Sequence, residues 1–432
     1  KPVVETGTLA DDLARRDFTV NALAACVLPN RWGELVDEYK GASDLKMGLL
    51  RTPLDPGVTF SDDPLRMVRA ARFSAQLGFE IAVDALDAME EHADRIGIVS
   101  MERVATELDK IIASRSPDEG FRILFETGVL DHLIPELVDL HGVEAVHGIG
   151  HKDNFYHSLQ VLANLVDRTS DRPADETRWL RWAALLHDIG KEPTKRFVPR
   201  QGWTFHNHPE VGARMAKKVF ARLTLPMGDS LAYVQHLIRL HHRPHALVDD
   251  EVTDSAVRRL LFDTGEHVDD LMTLVRADLT TKNPKRMRRY LKGFDRVEAK
   301  MIDVEERDHV RTFQPPVDGN EIMEALGVQE GLAVGLLKER IKEAILDGEV
   351  ANEHDAAYAF MLTHVDDALR RGRLFEEAVQ TFPRSLRRGL GRVRRTLAES
   401  DNLPQSDEAA LAYLHTLAEA YVADPDPEPE DA

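Results

Sequence analysis

The chain has 432 residues, of which 43% are hydrophobic and 30% charged, with a formal net charge of −20. That length supports two to four structural units with substantial cores, and no apolar run approaches the length of a membrane span. The acidic balance argues against indiscriminate nucleic-acid binding while leaving room for local basic patches; the single cysteine, Cys26, excludes an intrachain disulfide and is expected to be a small buried residue in a reducing cytoplasm.

In chain order, residues 1 to about 50 read as the remnant of a mixed α/β head. Asp11 to Ala24 is expected to be helical, and Gly33 to Tyr39 a strand leading into a turn at Gly41. From Asp62 onward the pattern is helical almost throughout. Ser100-x-x-Arg103 opens a periodic run through Ile112, and Ser116-Pro117 opens another that ends near Gly128. His147 to Arg311 is a histidine-rich helical block, Pro315-Pro316 marks a junction, and a smaller helical module containing VDGNEIMEALGV follows. Aromatic and β-branched runs are too sparse for a large sheet, so the fold class is mainly α. The expected divisions fall at 1–50, 51–145, 146–312, 313–423 and an acidic, proline-rich, disordered end at 424–432.

Residues Phe60 to Phe73 read FSDDPLRMVRAARF. Asp62 and Asp63 precede Pro64, an arrangement that suits a first helical turn. Arg66, Arg69 and Arg72 then recur every three residues and share one side of a helix, while Leu65, Val68 and Phe73 can face a core. An acceptor followed by a row of forked donors suits a nucleotide, with a base edge at one end and phosphates at the other. An acidic cap followed by a solvated arginine face accounts for the same residues. Two further segments, Lys282 to Lys292 and Arg384 to Arg395, are strongly basic and suit either a solvated helix face or contact with RNA phosphates.

The histidine block carries His157 in an amphipathic helix, then His187-Asp188 in WAALLHDIGK, His208, His241-His242 and Asp278. Imidazoles and carboxylates on several helices of one bundle can converge on a divalent ion, and a mixed N/O donor set suits manganese, nickel, iron or magnesium-like ions better than a thiolate zinc site. Gly190 is placed to end the helix and Lys191 to meet a phosphate. A second His-Asp pair, His354-Asp355, has no ordered companions and reads as surface.

RRDFTVNA (from Arg15), D…G..DL (Asp37, Gly41, Asp44, Leu45) and DDPLRMVRAARF, in this order, closely resemble the class II tRNA nucleotidyltransferases, which comprise CCA-adding enzymes and bacterial poly(A) polymerases. The resemblance runs loosely to about residue 350. It implies a head at 1–50, a helical neck and body at 51–145 and a helical tail, with tRNA, CTP and ATP as partners and addition of C and A to the tRNA 3′ end. Cytosine offers an N4 donor beside N3, and adenine an N6 donor beside N1. Asp63 is therefore assigned as acceptor for the exocyclic amine and Arg66 as donor to the ring nitrogen; uracil and guanine would set a carbonyl against the carboxylate. The resemblance further implies that Arg16, Arg69 and Arg72 hold the triphosphate and that Asp17 and Asn21 meet the ribose or brace the site; pairing of Asp17 with a neighbouring arginine is the structural alternative. Such enzymes use a Gly-Gly loop and a D-x-D pair to hold Mg2+. Neither precedes RRDFT here, so the expectation is a truncated head, with the Mg2+ ligands outside this chain and no transfer by this stretch alone.

The order H…HD…H…H…D resembles the HD phosphohydrolase domain that many bacterial CCA-adding enzymes carry. It implies His157, His187, Asp188 and Asp278 as ligands of a divalent metal. His208 and His241 would be ligands of a second metal, or acid and phosphate-orienting groups, with Lys191 alongside. The alternatives are a poly(A) polymerase, or a stand-alone HD phosphohydrolase or RNA-binding protein.

Overall fold

The computed structural model describes residues 7–146, 149–150, 152–249, 252–281, 283–308, 315–400 and 402–423. The first six residues, His147, Lys282 and the acidic end at 424–432 lie outside this set. Helices carry most of the described chain, and strands occur only as four two-stranded pairings among the described residues, in keeping with the mainly α expectation. The chain divides into two units, Lys1–Asp250 with Glu266–Val297, and Glu251–Gly265 with Glu298–Ala432.

At the start of the first unit the expected helix over Asp11 to Ala24 is broken. It runs only over Leu9–Ala14, followed by a 3-10 turn at Thr19–Asn21 and a strand at Ala24–Ala25. The cause is Asp17: its Oδ1 accepts from Phe18 N at 2.9 Å and Asn21 Nδ2 at 3.1 Å, a local alternative to helical bonding. The expected strand at Gly33 to Tyr39 shortens to Leu35–Val36, antiparallel to Ala24–Ala25. Gly41 opens the Gly41–Met47 helix, because the Asp37 carboxylate accepts from Gly41 N at 2.6 Å and Ala42 N at 3.1 Å. A Cβ on Gly41 would lie 2.1 Å from Thr19 O, so only glycine permits this contact. Asp44 is buried and accepts from the Thr19 hydroxyl at 2.7 Å. Cys26, expected to be buried, is partly exposed in the connection between the two short strands.

Asp62 and Asp63 do not occupy a first turn. Asp62 ends the Pro56–Asp62 helix, and Asp63 is extended, as the residue before a proline tends to be. Pro64 then caps the Leu65–Leu77 helix. That helix packs on Met101–Ile112 and Pro117–Glu126, burying Leu65, Met67, Val68, Ala71 and Ala75. Full burial of each large apolar side chain is worth about 1.5–3 kcal/mol. Phe73 is half-buried, edge-on to Phe18 at 5.7 Å, with the Arg72 guanidinium 3.9 Å above its ring.

Pro117–Glu126 leads into the Asn154–Arg168 helix, and the bundle continues with Ala174–Leu186, His208–Arg222, Asp229–Leu240 and Val268–Ala277. Trp182 is fully buried and makes edge contacts with Phe121 and Phe220. The second unit has two apolar clusters. Val317, Ile322, Leu337, Ile341 and Met361 join Gly319–Leu326, Leu332–Asp347 and the front of His354–Thr381; Leu374, Leu386, Val393, Leu397 and Leu414 join its rear to Leu390–Glu399 and Asp407–Ala423. His354-Asp355 is exposed, as expected, with His354 Nε2 2.7 Å from Glu321.

Candidate functional sites

The histidine bundle closes on Asp188. Asp153 caps the Asn154–Arg168 helix by accepting from Tyr156 N, and His157 sits in the first turn. The Ala174–Leu186 helix, buried along most of its length, ends at His187 and delivers Asp188 into the interior. Gly190 does not end that helix; it is needed where the loop crosses the start of His208–Arg222. A Cβ there would lie 2.1 Å from His208 O and 2.5 Å from Gly212 N, so glycine is what lets His208 approach Asp188.

The two Asp188 oxygens serve different neighbours. Oδ2 lies 3.5 Å from His157 Nε2, 3.3 Å from His187 Nε2 and 2.6 Å from Lys191 Nζ. Oδ1 lies 3.5 Å from His208 Nε2 and 3.8 Å from His241 Nε2. Asp278 closes the first side, its Oδ1 2.9 Å from His157 Nε2 and 3.8 Å from His187 Nε2. Thus His157, His187, Asp188, Lys191, His208, His241 and Asp278 are brought together. Three residues unassigned from the sequence join them: Thr280 Oγ1 at 3.0 Å from His157 Nδ1, His245 Nε2 at 3.3 Å from Asp278 Oδ2, and the His242 ring against His208. No spacing rule picks these out; Thr280 is a hydroxyl just past a helix end.

The donor set fits a divalent cation. His187, His208 and His241 each set Nδ1 against the carbonyl three residues back, at 2.8, 2.9 and 2.6 Å. Those carbonyls require Nδ1–H, so each neutral ring turns an Nε2 lone pair inward. His208 Nε2 and His241 Nε2 face each other at 3.4 Å, two lone pairs that a shared cation would reconcile. His187 Nε2 and Asp188 Oδ1 are buried without a hydrogen-bond partner. Three groups, His157/His187/Asp278, His187/Asp188/His241 and His208/His241/His242, each hold their ligand atoms within 4.8 Å of one another. Burial lowers the pKa of His208 and, further, of His241, and pushes His242 down to about 4. Burial also opposes charge on His187, Asp188 and Asp278, but their neighbours outweigh it: Asp188 raises His187, His187 and Lys191 hold Asp188 well below its usual range, and His157 and His245 do the same for Asp278.

The second site lies at the junction of Pro56–Asp62 and Leu65–Leu77. Arg66 N donates to Asp63 O at 3.0 Å. The Asp63 carboxylate is 3.1 Å from Arg103, while the Arg66 guanidinium donates to Thr59 O at 3.3 Å and Arg15 O at 2.5 Å. Arg69 donates its Nε to Asp17 Oδ2 at 2.8 Å, and Asn21 braces the other Asp17 oxygen. Arg16 is exposed and pairs with Asp12 at 2.7 Å. Arg72 is buried, with Glu107 Oε2 2.9 Å from its Nε; Glu107 also accepts from Lys110 at 2.9 Å. Burial lowers the Arg72 pKa despite Glu107. Neither Glu107 nor Arg103 was assigned from the sequence. The available signal for Glu107 was a carboxylate on the buried face of the Met101–Ile112 helix.

The Asp/Arg helix junction and the buried His/Asp bundle stand in a sequence that matches a polymerase head, an RNA-binding segment and an HD domain. Residues 1–51 match the family described as the Poly A polymerase head domain, 78–140 the probable RNA and SrmB-binding site of polymerase A, and 154–299 the HD domain. The chain belongs to the tRNA nucleotidyltransferase family: it is 33% identical over 359 residues, 81% of this chain and 78% of the relative, to an A-adding tRNA nucleotidyltransferase of Deinococcus radiodurans. It is 36% identical over 242 residues to a multifunctional CCA protein of Haemophilus influenzae, spanning 54% of each chain. The fold is similar to that of the Bacillus stearothermophilus CCA-adding enzyme in complex with CTP, with a TM-score of 0.55 at 21% identity, covering 83% of this chain and 75% of that one. Among the described residues, no helix is long and apolar enough to cross a membrane.

Proposed function

We propose that this protein takes part in building tRNA 3′ ends by template-independent addition of C and A from CTP and ATP, and that its HD centre hydrolyses phosphoesters. The observation that carries the first activity is the placement of Asp63 and Arg66 at one helix junction, an acceptor beside a forked donor. In this reading the incoming base displaces the present partners: its exocyclic amine donates to Asp63, and Arg66 donates to the ring nitrogen. Asp17, Asn21 and Arg69 brace the junction from the RRDFT side, and Arg16 is placed to meet phosphate. Mg2+ would serve the transfer step. The exposed Arg384, Arg387, Arg388, Arg392, Arg394 and Arg395, on a protein of net charge −20, suit the tRNA backbone.

At the HD centre, His157, His187, Asp188 and Asp278 would hold a divalent ion, with His208 and His241 offering donors on the far side of Asp188. A bound ion supplies a more acidic water and polarises a phosphoryl oxygen. Lys191 brings an ammonium to Asp188 Oδ2, in position to meet an anionic ester, and the Nδ1–H bonds to backbone carbonyls hold the rings in the tautomer that coordinates.

Addition of A alone is favoured by a different observation: the relative that matches 81% of this chain is an A-adding tRNA nucleotidyltransferase. Incubating a form of the protein that carries a complete nucleotidyltransferase head with tRNA lacking its 3′ end, and separately with tRNA ending in CC, using CTP or ATP alone, distinguishes the two. CTP incorporation supports C and A addition. ATP incorporation restricted to the CC-ended substrate assigns A addition, and no incorporation of either overturns both.

A further inference from the structure

A pocket of about 570 Å3 opens where the C-terminal ends of three helices of the first unit meet: Leu65–Leu77, Met101–Ile112 and Asn154–Arg168. None of its lining residues is among the histidines and carboxylates that meet around Asp188, and neither Asp63 nor Arg66 lines it. Arg115, Arg172 and Arg181 stand in its wall against one carboxylate, Asp167. Arg172 already pairs with Asp270 at 2.8 Å, and Arg115 is exposed.

Arg181 is the unusual member. It is only 4% exposed, and its Nη1 donates to Ile112 O at 2.9 Å and Ser114 O at 3.0 Å, closing the end of Met101–Ile112. Its Nε has no partner, and neither does the hydroxyl of Ser114, itself buried. Among the described residues no carboxylate pairs with Arg181. The second unit contains the same device completed. Arg371, 6% exposed, donates Nη1 to Leu397 O at 2.7 Å and Ser400 O at 2.9 Å at the end of Leu390–Glu399, and its Nε to Asp367 at 2.7 Å. A buried guanidinium without a counter-anion is costly. Asp367 meets that cost for Arg371; no carboxylate among the described residues meets it for Arg181, which lines the pocket.

We infer that this pocket is an oxyanion site that takes a phosphoryl group, drawn by the unneutralised Arg181 guanidinium in its wall. Arg115 supplies a second cation at the mouth. The phosphoryl group belongs either to a small phosphate ester or free phosphate, or to an RNA backbone. An occupant touches the helix that carries Arg66 and the helix that carries His157 at once.

The test uses the whole chain, treated with EDTA so that metal-held phosphate does not contribute. Inorganic phosphate is titrated into wild type, Arg181→Gln and Arg115→Ala, followed by calorimetry and thermal unfolding. The expected result is a phosphate-induced rise in Tm for wild type and binding weakened about tenfold or more in both variants, with unchanged far-UV circular dichroism. Gln at 181 keeps an N–H for the two carbonyls while removing the charge; should it fail to fold, Arg115→Ala, on the surface, decides alone. Wild type that does not respond to phosphate, or variants that respond as wild type does, overturn the site. Competition of phosphate with tRNA assigns the RNA backbone as the source of the anion, and its absence assigns a free phosphate. A selenate-soaked crystal should show the anion in the pocket beside Arg115 and Arg181; an anion only elsewhere contradicts the proposal.

Discussion

Arg69 donates its Nε to Asp17 Oδ2 at 2.8 Å, tying the RRDFT motif to DDPLRMVRAARF across 52 residues of sequence. Asp17 is 8% exposed at its side chain and Arg69 31%, so the pair is partly shielded from water. Asp17→Asn should cost about 2 kcal/mol in urea unfolding, since it leaves the guanidinium half-buried and poorly partnered. Its effect on nucleotide use should be a rise in KM of similar size for CTP and ATP, because the pair holds the helix and does not read the base. Unequal KM changes would place Asp17 in direct contact with the nucleotide.

Glu107 is a buried carboxylate serving Arg72 and Lys110, with Arg69 Nη1 4.0 Å away. Glu107→Gln should destabilise the protein by about 3 kcal/mol, the usual consequence of removing one partner of a buried ion pair. Denaturant unfolding measures this directly, and a loss below about 0.5 kcal/mol would mean that Arg72 finds its partner elsewhere.

Thr280 orients His157, one of the proposed metal ligands. Lys152 donates to Thr280 Oγ1 at 2.8 Å, and the same oxygen lies 3.0 Å from His157 Nδ1. Thr280→Val should weaken Mn2+ or Ni2+ binding about tenfold while leaving the fold intact, as second partners of ligating histidines commonly do. Asp278→Ala should abolish metal-dependent hydrolysis of a phosphomonoester or a 2′,3′-cyclic phosphate. Calorimetric titration of the metal and a colorimetric phosphatase assay check both, and unchanged affinity in Thr280→Val would separate Thr280 from the site.

Glu136 forms two hydrogen bonds of 2.6 Å with Arg222. Burial would raise the Glu136 pKa, but Arg222 outweighs it and the net shift is downward from 4.5. A depressed folded pKa contributes stability that is fully present above the unfolded value and is lost as pH falls through the folded one. The pair should therefore contribute about 1 kcal/mol near neutrality, after allowance for the partly exposed arginine. Arg222→Ala should lose that amount at pH 7 and approach wild type well below pH 4.5. A difference independent of pH would assign the effect to packing.

Both candidate sites were proposed from the sequence because their residues are concentrated in short motifs. HDIGK with an outlying His and Asp identified the bundle, and its seven assigned residues meet around Asp188. Partners that act at second hand were not legible. Thr280, His245 and Glu107 are single residues far along the chain, and only the packing of helices brings them to the ligands they orient. Local predictions failed where side chains compete with the backbone: Asp17 breaks the expected Asp11 to Ala24 helix, and Asp37 turns the expected strand end into the start of the Gly41–Met47 helix. The role of Gly190 was misjudged for a related reason, since a close approach between elements leaves no mark on local spacing.

Nucleotide choice by Asp63 variants tests the central claim most directly. With tRNA lacking its 3′ end as acceptor, and each protein carrying a complete nucleotidyltransferase head, incorporation of C, A, U and G is compared in wild type, Asp63→Ala and the exchanged pair Asp63→Arg with Arg66→Asp. Loss of preference for C and A in Asp63→Ala, and a shift toward U or G in the exchanged pair, is the result predicted for a carboxylate that accepts from the exocyclic amine. Normal C and A incorporation by Asp63→Ala, with U and G still rejected, would contradict it.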